Sequence, residues 1–159
     1  ENGEPMPTLA QYLEAAKDTK VHLVLELKPH ATPEAETAAA EAVVKMVGRY
    51  GLSKRVTYIS FSLHVMKELA RLAPAKTQLM YLGGGTLPKD LKAMGLTGCD
   101  FNYGVYLNNP TWLNDIKALK MASNVWTVNN PADMIWAIEN RVDFITTDRP
   151  DLFLKLTRK

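Results

Sequence analysis

Short runs of β-branched, aliphatic and aromatic residues alternate along the chain with turns rich in polar residues, glycine or proline, and with helical segments. This alternation is typical of repeated βα units. Successive runs start about 20 residues or more apart, which leaves room for a crossover helix between parallel strands. The pattern therefore predicts a six-stranded parallel sheet with strands Val21–Lys28, Val56–Ser62, Thr77–Leu82, Cys99–Leu107, Ser123–Val128 and Val142–Thr147.

Proline marks most of the predicted helix starts, because its fixed φ suits the first helical position and its missing N–H would be unpaired there. The starts are Pro7-Thr8, Thr32-Pro33, Asn109-Pro110, Asn130-Pro131 and Asp148-Arg149-Pro150. The longest helix is predicted from Pro33 to about Tyr50, where Gly51 can supply a left-handed residue. No glycine follows the helix before the sixth strand, so we expect Asn140 or Arg141 to take the left-handed turn.

Two architectures fit six parallel strands: an open doubly wound sheet and an arc of a (β/α)₈ barrel. Periodicity does not separate them. The chain has 159 residues, fewer than the roughly 250 of a typical whole barrel. It shows no low-complexity segment, internal linker or repeat beyond the βα unit, so residues 1–159 are predicted to form a single domain.

Composition narrows the possible partners. The chain is 47% hydrophobic and 23% charged, as a globular protein is, and its net charge is only +2. Because the charges are scattered, they indicate neither a nucleic-acid nor a membrane-surface partner. No apolar run approaches the ~20 residues that a membrane-spanning helix requires.

Cys99 is the only cysteine, which excludes an intrachain disulfide and a multi-cysteine zinc site. We interpret it as a small buried apolar residue. The opening residues 1–5 contain no initiator Met and do not resemble a signal peptide. We therefore expect the chain to begin inside a longer protein, and the compartment stays open between exported and cytoplasmic.

The first predicted strand carries two charged residues, Glu26 and Lys28, within an apolar run. Alternation along a strand places them on one face with His22 and Val24, at the carboxyl end of the strand. Ligands bind at that end in both candidate folds. A buried carboxylate must be paired or metal-bound, so these two residues fit either a structural ion pair or an active site.

Several motifs occur in an order that resembles the glycerophosphodiester phosphodiesterase family. They are PTL (residues 7–9), LVLELKP (23–29), YISFS (58–62), VWTVN (125–129) and VDFITTDRPDL (142–152). Each motif is weak alone, but five in order are specific, and they extend over nearly the whole chain. The resemblance implies a (β/α)₈ barrel whose third to eighth strands are present and whose first two βα units are missing. It argues against the open sheet.

The resemblance also implies an activity: hydrolysis of glycerophosphodiesters to glycerol 3-phosphate and an alcohol, as part of lipid and glycerol metabolism. The family uses one divalent metal ion, usually Ca²⁺ or Mg²⁺, and two histidines as general acid and base. By position, Glu26 corresponds to a metal ligand and Lys28 to the lysine that approaches the phosphate. Leu27 departs from the family's middle residue, but its side chain is expected to face away from the site.

Other family motifs have no counterpart in this chain. The HRG segment, the ExD carboxylates and the second catalytic histidine all lie on the first two strands of the family barrel. We therefore expect an incomplete barrel with two open, aggregation-prone edges, inactive as it stands. Two alternatives remain: a related barrel phosphodiesterase acting on another lipid head group, and a non-catalytic binding module of the same fold.

Aromatic residues near two strand ends are further candidates. The resemblance places Phe61 and Trp126 as walls against the glycerol or the leaving group, whereas ordinary core packing is the alternative. Tyr81 and Asn102 also lie near strand ends and are weaker candidates.

The remaining polar signals favour structural roles. His22 is interpreted as a hydrogen-bonded core residue and His30 as an exposed loop residue that could reach substrate, while His64 has no evident partner. The run Gly83–Gly85 lacks the spacing of a phosphate-binding loop and is interpreted as a flexible loop. Asp148 is interpreted as a helix cap.

Overall fold

Six parallel strands form one sheet in the computed structural model, which describes Gly3 and residues 5–157. The strands are β1 (Leu23–Glu26), β2 (Val56–Ser60), β3 (Gln78–Tyr81), β4 (Gly98–Asn102), β5 (Ala122–Trp126) and β6 (Phe144–Ile145). All six predicted strands are present, and each is shorter than its predicted run. Part of the expectation about residues 1–5 concerns Glu1, Asn2 and Glu4. These three residues lie outside the described part of the chain.

The strand order in the sheet is β1-β2-β3-β4-β5-β6, so each strand pairs in parallel with its neighbours in the chain. A doubly wound sheet reverses its order at a switch point, and no reversal occurs here. Because parallel crossovers are right-handed, an unreversed order places the connecting helices on one face of the sheet. The fold is therefore a parallel α/β half-barrel, and the open doubly wound alternative is excluded.

Eight helices accompany the strands in the described part of the chain. They are α1 (Leu9–Lys17), α2 (Pro33–Arg49), α3 (Leu63–Leu72), α4 (Pro88–Ala93), α5 (Tyr103–Asn108), α6 (Trp112–Ala118), α7 (Pro131–Glu139) and α8 (Pro150–Thr157). Pro33, Pro131 and Pro150 are the first residues of their helices, as predicted. The side chains of Thr32 and Asn130 accept hydrogen bonds from the first turns of α2 and α7.

Two helix starts differ from the prediction. Thr8 forms a capping box with Gln11, so α1 begins after Thr8 and Pro7 precedes the cap. Pro110 lies in a turn that the Trp112 N–H closes by donating to the Asn109 carbonyl at 3.0 Å, and α6 begins only at Trp112. At these two places proline lies before the helix instead of opening it.

The predicted strand Cys99–Leu107 is wrong beyond Asn102. The Asn102 side chain accepts a hydrogen bond from the Gly104 N–H at 2.9 Å and caps α5. The hydroxyl of Tyr106 donates to the Asn124 carbonyl at 2.9 Å, which anchors α5 over the end of the sheet. Aromatic residues favour strands, so this run resembled a strand, but its pairing with β5 ends at Asn102.

Left-handed residues end two helices as the sequence predicts. Gly51 has a φ of 69° after α2, and Arg141 has a φ of 54° after α7. An L-residue pays a steric cost in this conformation that glycine avoids. Arg141 therefore holds a turn that its side chain disfavours.

The core lies between the outer face of the sheet and the helices. Leu23, Val47, Leu69 and Val125 are among its buried members. Cys99 is also fully buried, as predicted, and burial raises the pKa of its thiol to about 12. The thiol therefore stays protonated and has little nucleophilic character.

The inner face of the sheet is open at both edge strands. Val24 on β1 is 56% exposed and Phe144 on β6 is 47% exposed. Among the described residues, no helix has the length and apolar character needed to cross a bilayer.

Candidate active site

The first strand has the alternation that the sequence predicts. Leu23 and Leu27 are buried in the core, whereas Val24, Glu26 and Lys28 belong to the opposite, inner face. Glu26 is the last residue of β1, and the Lys28 ammonium donates to its carboxylate at 2.7 Å. The strand end thus presents a pair of opposite charges that is partly exposed to solvent.

A cavity of about 300 Å³ lies at the carboxyl ends of the strands. Its wall includes all four residues that the sequence singled out, Glu26, Lys28, Phe61 and Trp126. The other lining residues are Ile59, Leu82, Asp100, Thr127 and Thr146. Strands β1, β2 and β5 therefore bring the predicted residues to one place, although these residues are up to a hundred positions apart in the chain.

Two aromatic rings form one side of this cavity. The centroids of Phe61 and Trp126 are 5.7 Å apart, and their planes are nearly perpendicular at 88°. The Trp126 indole N–H donates to the Asp100 carbonyl at 2.9 Å, which fixes the orientation of that ring. The peptide bond between Trp126 and Thr127 is cis. These rings line the cavity rather than the hydrophobic core.

Asp100 is a site residue that sequence reasoning missed. It lies on β4, is 2% exposed, and accepts a hydrogen bond from the Asn124 amide at 2.8 Å. Burial raises its pKa to about 6; the bond from Asn124 opposes the shift and the Glu26 carboxylate adds to it. The signal was the one used for Glu26, a carboxylate within an apolar strand.

The three histidines lie outside the cavity lining. His22 shares a hydrogen bond of 2.9 Å with the Thr57 hydroxyl, but it is exposed, because it lies just before the edge strand β1. Its interpretation as a core residue is therefore wrong. His30 is exposed in the loop after β1, as predicted. His64 has a partner that sequence reasoning did not find, the hydroxyl of Thr37 at 2.9 Å.

The glycine run after β3 is constrained by packing. A Cβ on Gly83 would lie 2.4 Å from the Tyr81 hydroxyl oxygen, and one on Gly84 would lie 2.3 Å from a methyl group of Val105. These contacts explain glycine at positions 83 and 84, whereas a Cβ on Gly85 would meet no atom within 4 Å. The Tyr81 side chain is buried against this loop.

Asp148 joins two loops and does not cap α8. Its carboxylate accepts a hydrogen bond from the Asn129 amide at 2.8 Å, which links the segments after β5 and β6. The first carbonyl acceptor of α8 is that of Arg149, to which Leu152 and Phe153 donate. Asp148 therefore lies one residue too early to cap the helix.

The two carboxylates at the cavity are too few to make a metal site by themselves. Calcium and magnesium take oxygen ligands, and six or more are needed to complete their coordination. Glu26 and Asp100 supply carboxylate oxygens at the cavity wall. Within residues 5–157, no cluster of three or more His, Cys, Asp or Glu side chains is arranged to hold a metal ion. These residues alone do not form a complete metal centre.

Comparison with known proteins shows which family this chain is related to. The model of the glycerophosphoryl diester phosphodiesterase family matches residues 1–152. The chain belongs to this family. The sequence resemblance is thereby confirmed for nearly the whole chain.

Individual relatives agree with the family assignment. The chain is 29% identical over 164 residues to a glycerophosphodiester phosphodiesterase of Caldanaerobacter subterraneus subsp. tengcongensis, a match covering 99% of this chain and 64% of the relative. The crystal structure of a glycerophosphodiester phosphodiesterase from Parabacteroides distasonis is 48% identical with a TM-score of 0.94, over 98% of this chain and 66% of that one. The chain thus spans somewhat less than two thirds of these relatives.

A more distant structure shares the fold. A phosphodiesterase from Oleispira antarctica, solved in complex with the product sn-glycerol-3-phosphate, is 19% identical with a TM-score of 0.80. The match covers 94% of this chain and 60% of that one. At this identity the likeness supports the half-barrel and says nothing about the chemistry.

Proposed function

We propose that the complete protein is a metal-dependent phosphoric diester hydrolase that cleaves glycerophosphodiesters to glycerol 3-phosphate and an alcohol. The observation that carries the proposal is the Glu26–Lys28 pair beside the Phe61–Trp126 wall, in one cavity at the carboxyl ends of the strands. Membership of the phosphodiesterase family supports it. Two relatives named as glycerophosphodiester phosphodiesterases, one of them 48% identical, support glycerophosphodiesters as the substrate class.

Each cavity residue has a role in this proposal. Glu26 would supply one carboxylate ligand to a calcium or magnesium ion, whose charge lowers the repulsion between phosphate and nucleophile. The Lys28 ammonium contacts a phosphate oxygen and stabilises negative charge as it develops there. Phe61 and Trp126 pack against the glycerol or the leaving alcohol and exclude water from that side.

The rest of the site is proposed to come from two βα units that precede β1 in the barrel. In this arrangement β1 to β6 are the third to eighth strands, and two histidines upstream move the protons. One histidine takes the proton of a glycerol hydroxyl as it attacks phosphorus, and the other protonates the leaving alcohol. Water then opens the cyclic phosphate to give glycerol 3-phosphate. The exposed inner side chains of Val24 and Phe144 support this, because two further strands would cover them. The described residues alone would then be inactive.

The test is release of glycerol 3-phosphate from glycerophosphoethanolamine by the full-length protein, with and without a chelator. We expect chelator-sensitive release, and a loss of roughly 100-fold in kcat/KM for Glu26→Gln. Glu14→Gln on the exposed face of α1 is the matched control and should leave the rate unchanged. Metal-dependent release that survives unchanged in Glu26→Gln would overturn the assignment.

The same assay separates two other functions that are compatible with the fold. Release from a phosphoinositide or sphingomyelin head group, but not from glycerophosphodiesters, would indicate a related barrel phosphodiesterase. Binding of glycerol 3-phosphate with no hydrolysis of any diester would indicate a non-catalytic binding module.

A further inference from the structure

Glu36 is a buried carboxylate that does not line the cavity. It lies near the start of α2 and is 6% exposed. A carboxylate at such a position must be hydrogen-bonded to be tolerated. Its two oxygens accept from different loops: Oε1 from the His30 backbone N–H at 3.2 Å, and Oε2 from the Ser62 hydroxyl at 2.7 Å. Because it is close to the helix N-terminus, the peptide dipoles of α2 also favour its negative charge.

Ser60 joins the same two loops from the other side. Its hydroxyl donates to the Leu27 carbonyl at 2.6 Å and accepts from the Ser62 N–H at 3.0 Å. The segment 27–30 is therefore held at Leu27 by Ser60 and at His30 by Glu36. Lys28 lies within this segment.

The second loop is held in the same way. Phe61 lies between Ser60 and Ser62, and both serines take part in these hydrogen bonds. Lys28 and Phe61 both line the cavity. The two loops that contain them are joined by the hydrogen bonds of Glu36. The Lys28 side chain itself is 73% exposed, so packing against protein does little to fix its position.

We infer that Glu36 is a positioning residue: it bridges the loops after β1 and β2 and so sets where Lys28 and Phe61 face the cavity. The effect on turnover rests on the proposed function, whereas the bridging of the loops does not. The inference is therefore tested by two readouts, one of which needs no substrate.

The first readout is amide hydrogen exchange in the full-length protein. In Glu36→Ala both carboxylate oxygens are removed, so the bonds from the His30 N–H and the Ser62 hydroxyl are lost. The His30 amide should exchange roughly tenfold faster, as expected for the loss of about 1.4 kcal/mol. Glu34→Ala removes an exposed carboxylate in the same helix turn and should leave this exchange rate unaltered.

The second readout is the steady-state kinetics of diester hydrolysis. A displaced Lys28 loses contact mainly in the transition state, so kcat should fall roughly 10- to 100-fold with little change in KM. Ser62→Ala removes the other end of the bridge, together with the N-cap of α3, and serves if Glu36→Ala does not fold. It should accelerate exchange in the segment 27–30 and lower kcat in the same way.

Each outcome decides the inference. Faster exchange at His30 with lower kcat in the folded variant supports it. Unaltered exchange at His30, or faster exchange with unaltered kcat, overturns it. If the wild-type protein releases no glycerol 3-phosphate, the proposed function fails, and the exchange rates of the variants still decide whether Glu36 bridges the loops.

Discussion

Lys28 contributes little to stability through its ion pair with Glu26. The pair is partly exposed, and exposed ion pairs add about 0–1 kcal/mol. We therefore predict that Lys28→Gln in the full-length protein changes the free energy of unfolding by less than about 1 kcal/mol. It should lower kcat/KM for the diester roughly 100-fold, because a charge that faces the phosphate is lost. Urea denaturation and steady-state kinetics measure the two effects.

Lys17 provides the control for this prediction. Its ammonium pairs with the Glu14 carboxylate on α1, three residues away in the same helix and outside the cavity lining. Lys17→Gln should cost a similarly small free energy of unfolding and leave kcat/KM unchanged. If Lys28→Gln behaves in the same way as Lys17→Gln, the role of Lys28 is structural alone.

Asp100 makes the stability depend on pH in a defined direction. Burial raises its pKa from 3.8 to about 6, so the folded protein holds the proton more tightly than the unfolded chain does. The stability this contributes is fully present below pH 3.8 and is lost as the pH rises through about 6. Asp100→Asn cannot ionise, so it should be more stable than wild type at pH 7, by on the order of 1–3 kcal/mol.

Chemical denaturation of both proteins between pH 4 and 8, with a chelator present, measures this difference. The gap between the variant and wild type should close as the pH falls toward 4. A gap of the same size at pH 4 and pH 7 would show that ionisation of Asp100 is not its source.

A site residue can be predicted from the sequence when it departs from a local pattern, but not when its role depends on contacts with residues far away in the chain. Glu26 and Lys28 were predictable, because a charge within an apolar strand departs from a local pattern. Asp100 carried the same signal inside an aromatic-rich run and was overlooked. Glu36 is one of several glutamates in α2, and nothing local distinguishes it. Its burial follows from packing against the loop at Ser62, which is 26 residues away.

The secondary-structure elements were predictable where the signals were local. Short apolar runs separated by turns and helical segments predicted all six strands, and proline predicted the starts of α2, α7 and α8. The strand ends were not predictable, because a strand ends where its partner ends, and partners are distant in sequence. Asn102 illustrates this. The pairing of β4 with β5 ends at Asn102 and Trp126, and the Asn102 side chain then caps α5 instead of continuing the strand.

The turn after α7 provides a test at the level of one helix end. Arg141 has a φ of 54°, where a side chain costs about 1–2 kcal/mol. Glycine avoids that cost but loses more backbone entropy on folding, by about 0.5–1 kcal/mol. Arg141→Gly should therefore stabilise the full-length protein by roughly 0.5–1 kcal/mol in thermal unfolding.

The neighbouring residue is a matched control for this substitution. Asn140 has a φ of −81°, and its side chain donates to the Trp136 carbonyl at 2.8 Å. Asn140→Gly gains no relief from strain and loses that bond, so it should destabilise the protein. Stabilisation by both substitutions would mean that the left-handed backbone at Arg141 is not the cause.

The open inner face of the sheet governs the behaviour of the whole molecule. Val24 is exposed on the inner face of β1. In the 159-residue chain alone, Val24→Lys should reduce self-association in analytical ultracentrifugation, since a charge on an open edge opposes pairing. In the full-length protein the same substitution should destabilise the fold by several kcal/mol, because further strands would bury the charge.

Leu154 provides the comparison, because it is about as exposed as Val24 but lies on α8. Leu154→Lys should have little effect on stability in either form. If Val24→Lys is tolerated as well as Leu154→Lys in the full-length protein, the inner face is not covered by further strands, and the proposed strand numbering is wrong.

The unreversed strand order has a consequence for how such a protein can diversify. Each βα unit contributes its own part of the cavity: Glu26 and Lys28 follow from the first, Phe61 from the second and Trp126 from the fifth. A loop can therefore lengthen or be exchanged without breaking the pairing of the strands beside it. Under the proposed function, replacing the aromatic wall would change which alcohol is accepted and leave the charged pair in place. The range of substrates could then vary separately from the reaction.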